Sequence, residues 1–389
     1  MQPDDLFNRR HYANVRKPAL QGAETLPAWC YTSDAFYRRE VERIFKKSWN
    51  FVDRVDRIPN PGDYFVFDYV GVSTIIVRGK DGQVRGFANT CRHRGSVIME
   101  GEGTCKHLQC PYHAWTYDFD GTLIGAPFME ETEAFDPAKY HLAPVRLEVY
   151  GGFIFLCFDE NAPDLGTYLG DFIDNTRGYN PDDLVVVRRQ EWIMECNWKL
   201  FYENFAEQYH IPFIHKTSLN RQKRKITPPE PCNGNYVALY TQHPGSRMLL
   251  AGDTGFPAIE GLRGRDAEGT YYPSLHPSTM MGWCIDGMWW VRSDPLGPER
   301  TRITAGSCFP RKTRARDDFN EVAKRYYKRL DLTIPEDIKA AEDQQRGLRS
   351  PYYKPGPMSY LERLVNTIDN WVLDRVLDPP AEAHKQAAE

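Results

Sequence analysis

Two short cysteine–histidine pairs constrain this chain more than any other feature. The first is Cys91-Arg92-His93, followed by Arg94-Gly95; the second is Cys110-Pro111-Tyr112-His113, and sixteen residues separate His93 from Cys110. Each pair mixes a thiol with an imidazole. A structural zinc site groups Cys with Cys and His with His, so the mixed pairs argue against zinc. Thiolates are soft ligands that suit iron–sulfur chemistry. The pattern therefore reads as ligands of a [2Fe–2S] cluster, with Cys91 and Cys110 on one iron and His93 and His113 on the other. Neutral imidazoles lower the cluster's negative charge and raise its potential above that of an all-cysteine cluster. Gly95 permits a tight first loop and Pro111 stiffens the second. Cys105 and His107, between the pairs, read as loop residues.

The pairs lie in a stretch of short β-rich runs, Tyr64–Tyr69, Val72–Val77 and Phe153–Phe158, punctuated by Pro-Gly, Asp-Gly and Gly-Gly. This predicts a small all-β domain over residues 48–160. Residues 34–49 carry apolar side chains at 36, 37, 41, 44, 45 and 49, near helical spacing, with Ser33 as N-cap. After two Asn/Pro/Asp connectors comes a mixed pattern. It comprises a strand at Leu184–Arg188, a helix from Trp198 to Tyr209, and β-like runs near 236–242, 278–293 and 301–308. Two helices at about 314–330 and 334–347 and a helical run at Met358–Leu377 complete it. The fold class is thus α+β, with a second domain over 161–389 and residues 1–47 packing on it.

Composition narrows the function. With 49 Lys+Arg against 53 Asp+Glu, the chain lacks the cationic excess of a phosphate-backbone binder. No run approaches ~18 apolar residues, so no membrane span is expected. The N-terminal Met1-Gln2-Pro3-Asp4-Asp5 has no basic or apolar leader region, which points to the cytoplasm. Nine cysteines there are not a disulfide framework. Cys30, Cys157, Cys196, Cys232, Cys284 and Cys308, scattered singly, read as small buried hydrophobes.

The motif Cys91-x-His93…Cys110-x-x-His113 resembles the Rieske family. Cytochrome-type members carry an extra cysteine in each loop; here Ser96, Pro111 and Tyr112 stand instead, as in the oxygenase and ferredoxin types. A ferredoxin leaves more than two hundred residues unexplained.

His210 and His215 supply a second constellation. Five positions apart, they would lie about 140° apart on an ideal helix and share no face. Pro212, however, disfavours helix at Ile211 and should end the helix near His210, letting His215 fold back. Such a pair plus one carboxylate makes a facial triad with open positions for O2. The carboxylate candidates lie in Thr333-Ile-Pro335-Glu336-Asp337…Glu342-Asp343, where Thr333 and Glu336 read as a capping box with Pro335 in the first turn.

Asn197, Trp198, Lys199, Glu203, Asn204, Tyr209, His210 and His215 resemble the pattern that follows the Rieske domain in aromatic-ring-hydroxylating oxygenase α subunits. The resemblance covers roughly residues 30–350. It implies a helix-grip catalytic domain, an antiparallel sheet wrapped on a long helix. It implies mononuclear Fe(II) held by His210, His215 and Asp337, the last favoured by Glu336-Asp337-x4-Glu342-x-x-Gln345-x-Gly347 over the runners-up Asp343 and Glu342. Glu207 stands where most members have Asp, the carboxylate that in the family bridges one subunit's cluster to the next subunit's iron. A Glu there resembles the branch that oxidises carnitine and related quaternary amines. The resemblance also implies a homotrimer, with or without a small β subunit.

No strand-linked GxGxxG and no plant-type ferredoxin motif accompany these residues, so a separate flavin/iron–sulfur reductase, directly or through a ferredoxin, should deliver NAD(P)H electrons. The expected function is that of a terminal oxygenase that hydroxylates or oxidatively demethylates a small organic, aromatic substrate. The alternatives are a quaternary-ammonium monooxygenase and, in a different class, a non-catalytic Rieske electron-transfer protein. The run Met280–Trp290 offers an aromatic slot, a cation–π cage or merely sheet core. Alternation predicts Trp283, Ile285 and Trp289 on one face and Cys284, Asp286, Met288 and Trp290 on the other. Arg263, Arg265 and Arg292 are candidates for a substrate carboxylate.

Overall fold

A computed structural model describes residues 3–219 and 227–378. The chain divides into two compact units, Ser48–Leu165 and Met1–Lys47 with Gly166–Glu389.

In the first unit, β1 (Asn50–Arg54), β2 (Asp63–Tyr69), β3 (Val72–Arg78), β4 (Val84–Ala88), β5 (Glu102–Thr104), β9 (Pro144–Tyr150) and β10 (Phe153–Cys157) form one sheet in the order β1-β10-β9-β4-β3-β2-β5. β6 (Leu108–Gln109), β7 (Thr116–Tyr117) and β8 (Leu123–Gly125) form a second. Along β2 the side chains of Phe65, Phe67 and Tyr69 alternate inward, the period-two signature of a half-buried strand. The core gathers Ile75, Val77, Phe87, Trp115 and Tyr117, and it includes Cys91 and Cys110.

In the second unit, β11 (Leu184–Met194), β12 (Tyr236–Gln242), β13 (Gly269–Leu275), β14 (Thr279–Cys284), β15 (Gly287–Gly297) and β16 (Arg300–Pro310) form an antiparallel sheet in the order β11-β16-β15-β14-β13-β12. The helix Phe319–Leu348 is held to it. Tyr326 donates to Asp286, between β14 and β15, at 2.5 Å, and Arg188 of β11 pairs with Asp331 at 2.8 Å. This is the gripped-helix arrangement.

The helix corrects the expectation of two helices with a start at Thr333. It is continuous over 30 residues with Pro335 inside. The Thr333 hydroxyl bonds back to the Arg329 carbonyl at 3.0 Å instead of capping. Pro335 removes one backbone donor, but the stripe Phe319, Ala323, Tyr326, Leu330, Ile334, Ala341 and Leu348 is buried along the whole length and carries the helix through.

A second helix is shorter than expected. It spans Trp198–Phe205, capped by the Asn197 side chain, and a separate turn follows at Ile211–Ile214. Pro212 therefore sits in the first turn of a new helix, where its missing N–H costs nothing. Ser33 caps Asp34–Glu40 as expected. From that helix Glu40 reaches Lys199 at 2.6 Å, both fully buried, and accepts from the Trp198 indole at 3.1 Å.

The β14–β15 hairpin corrects the predicted faces. Its turn holds Ile285 and Asp286, so Trp283 faces Met288 and Gly282 faces Trp289. Directly opposed residues share a face, so Trp283 and Trp289 lie on opposite faces. Trp283 packs on Tyr179 and Phe172 in the core. Trp289 lies flat over Gly282, where an added Cβ would come within 2.4 Å of the indole.

Candidate metal centres

The two Cys–His loops have the same backbone. The Cys91 N–H donates to the Ser96 carbonyl at 2.8 Å, and the Cys91 carbonyl accepts from Gly95 at 2.9 Å. The Cys110 N–H donates to the Trp115 carbonyl at 2.8 Å, and the Cys110 carbonyl accepts from Ala114 at 3.1 Å. The fourth residue after each cysteine is left-handed, Gly95 at φ +74° and Ala114 at φ +56°. Cys91 and Cys110 are buried, whereas His93 is exposed and His113 half-buried. The two imidazoles lie 4.7 Å apart, His93 stacked on Trp115 and His113 on Tyr112. Tyr117 places its hydroxyl 3.4 Å from the Cys91 sulfur. Partial desolvation, with the neighbouring His93 and Arg94, holds the His113 imidazole below its ordinary range. Paired loops with thiols inward and imidazoles outward fit a two-iron, two-sulfur cluster with chemically distinct irons.

In the other unit, one ligand atom each from His210, His215 and Asp337 lie within 4.8 Å of one another. Asp337 Oδ1 is 3.0 Å from His215 Nε2 and 3.7 Å from His210 Nε2. Behind each imidazole stands a carboxylate: Glu207 at 2.6 Å from His210 Nδ1, and Glu336 at 2.6 Å from His215 Nδ1. A carboxylate only accepts, so Nδ1 carries the hydrogen and Nε2 is turned toward the shared point. Glu207 also accepts from the backbone N–H groups of Tyr209 and His210. Glu336 also accepts from Ser218 at 2.5 Å. Asn204 donates to Asp337 Oδ1 at 3.0 Å. Burial alone would depress His215, but Asp337 and Glu336 outweigh it and raise its pKa. The pocket thus favours a cation, and the donor set fits a divalent metal with carboxylate-backed histidines.

The runners-up lie elsewhere. Asp343 is ion-paired with Lys339 and Arg346, and Glu342 accepts from the Glu195 backbone at 2.9 Å. Glu336 and Ser218 were missed by sequence reasoning. The signal was there, since Glu336 adjoins Asp337, but helix capping already accounted for an acidic residue at that position.

The three residues stand at the wall of a cavity whose other sides are Phe201, Phe205, Tyr272, Trp289, Leu239, Val291, Leu330 and Ile334. Arg247 and Arg329 line it as well. The arginines expected to meet a substrate are not among the residues that line this cavity. Arg265 pairs with Glu230 and Arg292 with Asp294, while Arg263 is exposed.

Residues 48–137 match the Rieske [2Fe-2S] domain, and residues 181–378, half of the chain, match the ring hydroxylating alpha subunit (catalytic domain). The chain belongs to the Rieske ring-hydroxylating oxygenase family. As an oxygenase subunit it is an enzyme that uses O2 and electrons from a separate reductase, which sets aside the non-catalytic electron-transfer alternative. The subunit is 31% identical over 394 residues to the glycine betaine monooxygenase oxygenase subunit of Chromohalobacter salexigens, covering 92% of this chain and 87% of that one. It is 30% identical to the carnitine monooxygenase oxygenase subunit of Escherichia coli K12, covering 91% of each, and 30% identical to chloroplastic choline monooxygenase of Spinacia oleracea, covering 86% of this chain and 74% of that one. Among solved structures, a quaternary ammonium Rieske monooxygenase in complex with L-carnitine superposes at a TM-score of 0.77 with 26% identity, covering 91% of this chain and 96% of that one. Naphthalene 1,2-dioxygenase from Rhodococcus sp. shares the fold, at a TM-score of 0.77 and 21% identity over 96% of this chain.

Proposed function

We propose that this oxygenase subunit is a monooxygenase of a quaternary ammonium compound. Cys91, His93, Cys110 and His113 hold its [2Fe–2S] cluster, and His210, His215 and Asp337 hold one Fe(II). The observation that carries the reading is the convergence of three ligand atoms within 4.8 Å at the wall of an aromatic-lined cavity. The relatives' substrates and the Glu at position 207 support the quaternary-ammonium class over the aromatic one. Iron in such a triad supplies reductive O2 activation. The chain's own residues do the rest. Glu207 and Glu336 fix the ring planes and tautomers of the two histidines, and Asn204 orients Asp337. Phe201, Phe205, Tyr272 and Trp289 exclude water and provide π faces for an ammonium group.

The reading includes a homotrimer, with or without a small β subunit, in which Glu207 links one subunit's cluster to the next subunit's iron. Exposed apolar groups support it. Tyr112 is 57% exposed beside His113, and Tyr209 and Phe213 are 48% and 60% exposed beside His210. It also includes a flavin/iron–sulfur reductase fed by NAD(P)H and a place in the cytoplasm. No helix among the described residues is long and apolar enough to cross a membrane.

The test is O2 uptake by the iron-loaded subunit with a surrogate reductase, against quaternary amines and aromatic compounds, alongside iron analysis. About three irons per chain and uptake driven by a quaternary amine are expected. About two irons in a fully loaded preparation, or uptake driven by uncharged aromatics alone, would overturn the reading.

A further inference from the structure

The cavity carries a charge that an ammonium substrate does not explain. Arg329 lines it and is 8% exposed, yet its Nε has no hydrogen-bond partner, and it forms no ion pair among the described residues. Its guanidinium carbon lies 5.5 Å from the centroid of the Trp289 ring. Arg247 lines the same cavity. Burial, and in part the charge of Arg329, holds the Arg247 guanidinium below its ordinary range, so the two cations feel one another. A buried guanidinium without an acceptor is costly, and a planar donor fork is matched best by a carboxylate. An uncompensated guanidinium also repels a substrate that carries positive charge alone.

Position sharpens this. Arg329, Thr333 and Asp337 are spaced by four on the helix Phe319–Leu348 and all line the cavity. Arg329 thus lies on the Asp337 face, about 12 Å along the axis from it at 1.5 Å per residue. In the cavity wall, Arg329 and the iron ligand Asp337 thus stand about two helical turns apart, with the apolar Leu330 and Ile334 also lining it.

We propose that Arg329, assisted by Arg247, receives a carboxylate of the substrate and turns the opposite end of the molecule toward His210, His215 and Asp337. The substrate is then a zwitterionic trimethylammonium carboxylate and not a bare cation. This rests on the oxygenase reading above and deepens it.

The test is anaerobic calorimetric titration of the iron-loaded subunit with three kinds of ligand. These are trimethylammonium carboxylates of increasing chain length with their methyl esters, choline, and benzoate-type aromatic acids. At least one trimethylammonium carboxylate should bind about 100-fold more tightly than its ester or choline. Arg329→Met should remove that preference, and Arg329→Lys should restore part of it. Equal binding of acid and ester, preference for choline, or binding by no acid in the panel overturns the proposal. An aromatic acid as the tightest ligand, still dependent on Arg329, keeps the carboxylate receptor and overturns the zwitterion. The wild-type comparison needs no variant to fold. Iron content and reoxidation of the reduced cluster by O2 test the oxygenase reading without any substrate, so the two readings fail separately.

Discussion

At the scale of single residues, the iron site is built from two copies of one device, an imidazole with a carboxylate behind it. Glu207 and Glu336 each lie 2.6 Å from an Nδ1. Losing such a partner typically weakens metal binding 10–100-fold, so Glu336→Gln should lower iron affinity by about that factor in a chelator titration. Asp337→Ala should go further, with mononuclear iron lost, oxygenation abolished and the visible absorbance of the cluster unchanged. Survival of activity would reassign the third ligand. Most of this was legible in the sequence. The Cys–His pairs have a spacing that zinc sites do not use, and His210, His215, Glu207 and Asp337 sit in a recognisable order. Glu336 was not legible, because a capping box and a carboxylate behind a histidine ask for the same residue type. Arg329 was not legible either. Its relation to Asp337 exists only if the helix runs unbroken through Pro335.

At the scale of elements, tight geometry is bought by a few backbone positions. Gly95 and Ala114 occupy the same left-handed position in the two cluster loops. An added Cβ at Gly95 meets nothing closer than the Thr90 hydroxyl at 3.8 Å, so its cost is conformational. Gly95→Ala should therefore destabilise the loop by about 1 kcal/mol, seen as faster cluster loss, without steric damage. The second junction is Gln345, which is fully buried. It accepts the Asn197 N–H at 2.9 Å and donates to Glu299 at 2.8 Å, tying the long helix to the start of Trp198–Phe205. Gln345→Ala leaves that N–H without its acceptor. A loss of about 1–3 kcal/mol is expected in denaturant unfolding, with lower iron occupancy because Asn204 and Asp337 sit on the two elements so joined. Strands were easier to read than helix limits. Alternation survives in β2, whereas the ends of Trp198–Phe205 and Phe319–Leu348 are set by tertiary packing that overrides proline and capping signals. The β14–β15 faces were misread because a two-residue turn resets the alternation.

At the scale of the molecule, the unit that holds the iron ligands also holds a set of buried carboxyls. Glu203 accepts from the Tyr31 hydroxyl at 3.0 Å and is pushed up to about 7 by burial, against the pull of Lys199. Burial, then the charge of Glu203, raises Asp369 well above the usual carboxylate range. Both folded-state values exceed those of the unfolded chain, so the native state keeps protons that the unfolded state has released. Stability from these groups is complete below the ordinary carboxyl range, near pH 4, and falls as pH rises toward about 7. Thermal unfolding should show Asp369→Asn gaining on the parent protein between about pH 5 and pH 8; equal slopes for the two would remove these groups from the account. The long helix has a different consequence. With an acid-binding group and an iron-binding group on the same face, it acts as a ruler graduated in turns of about 5.4 Å. Substrate length is then inherited from helical pitch, and lineages could change diet by moving one arginine by one turn, from position 329 to 333, while the chemistry at the far end stays as it is.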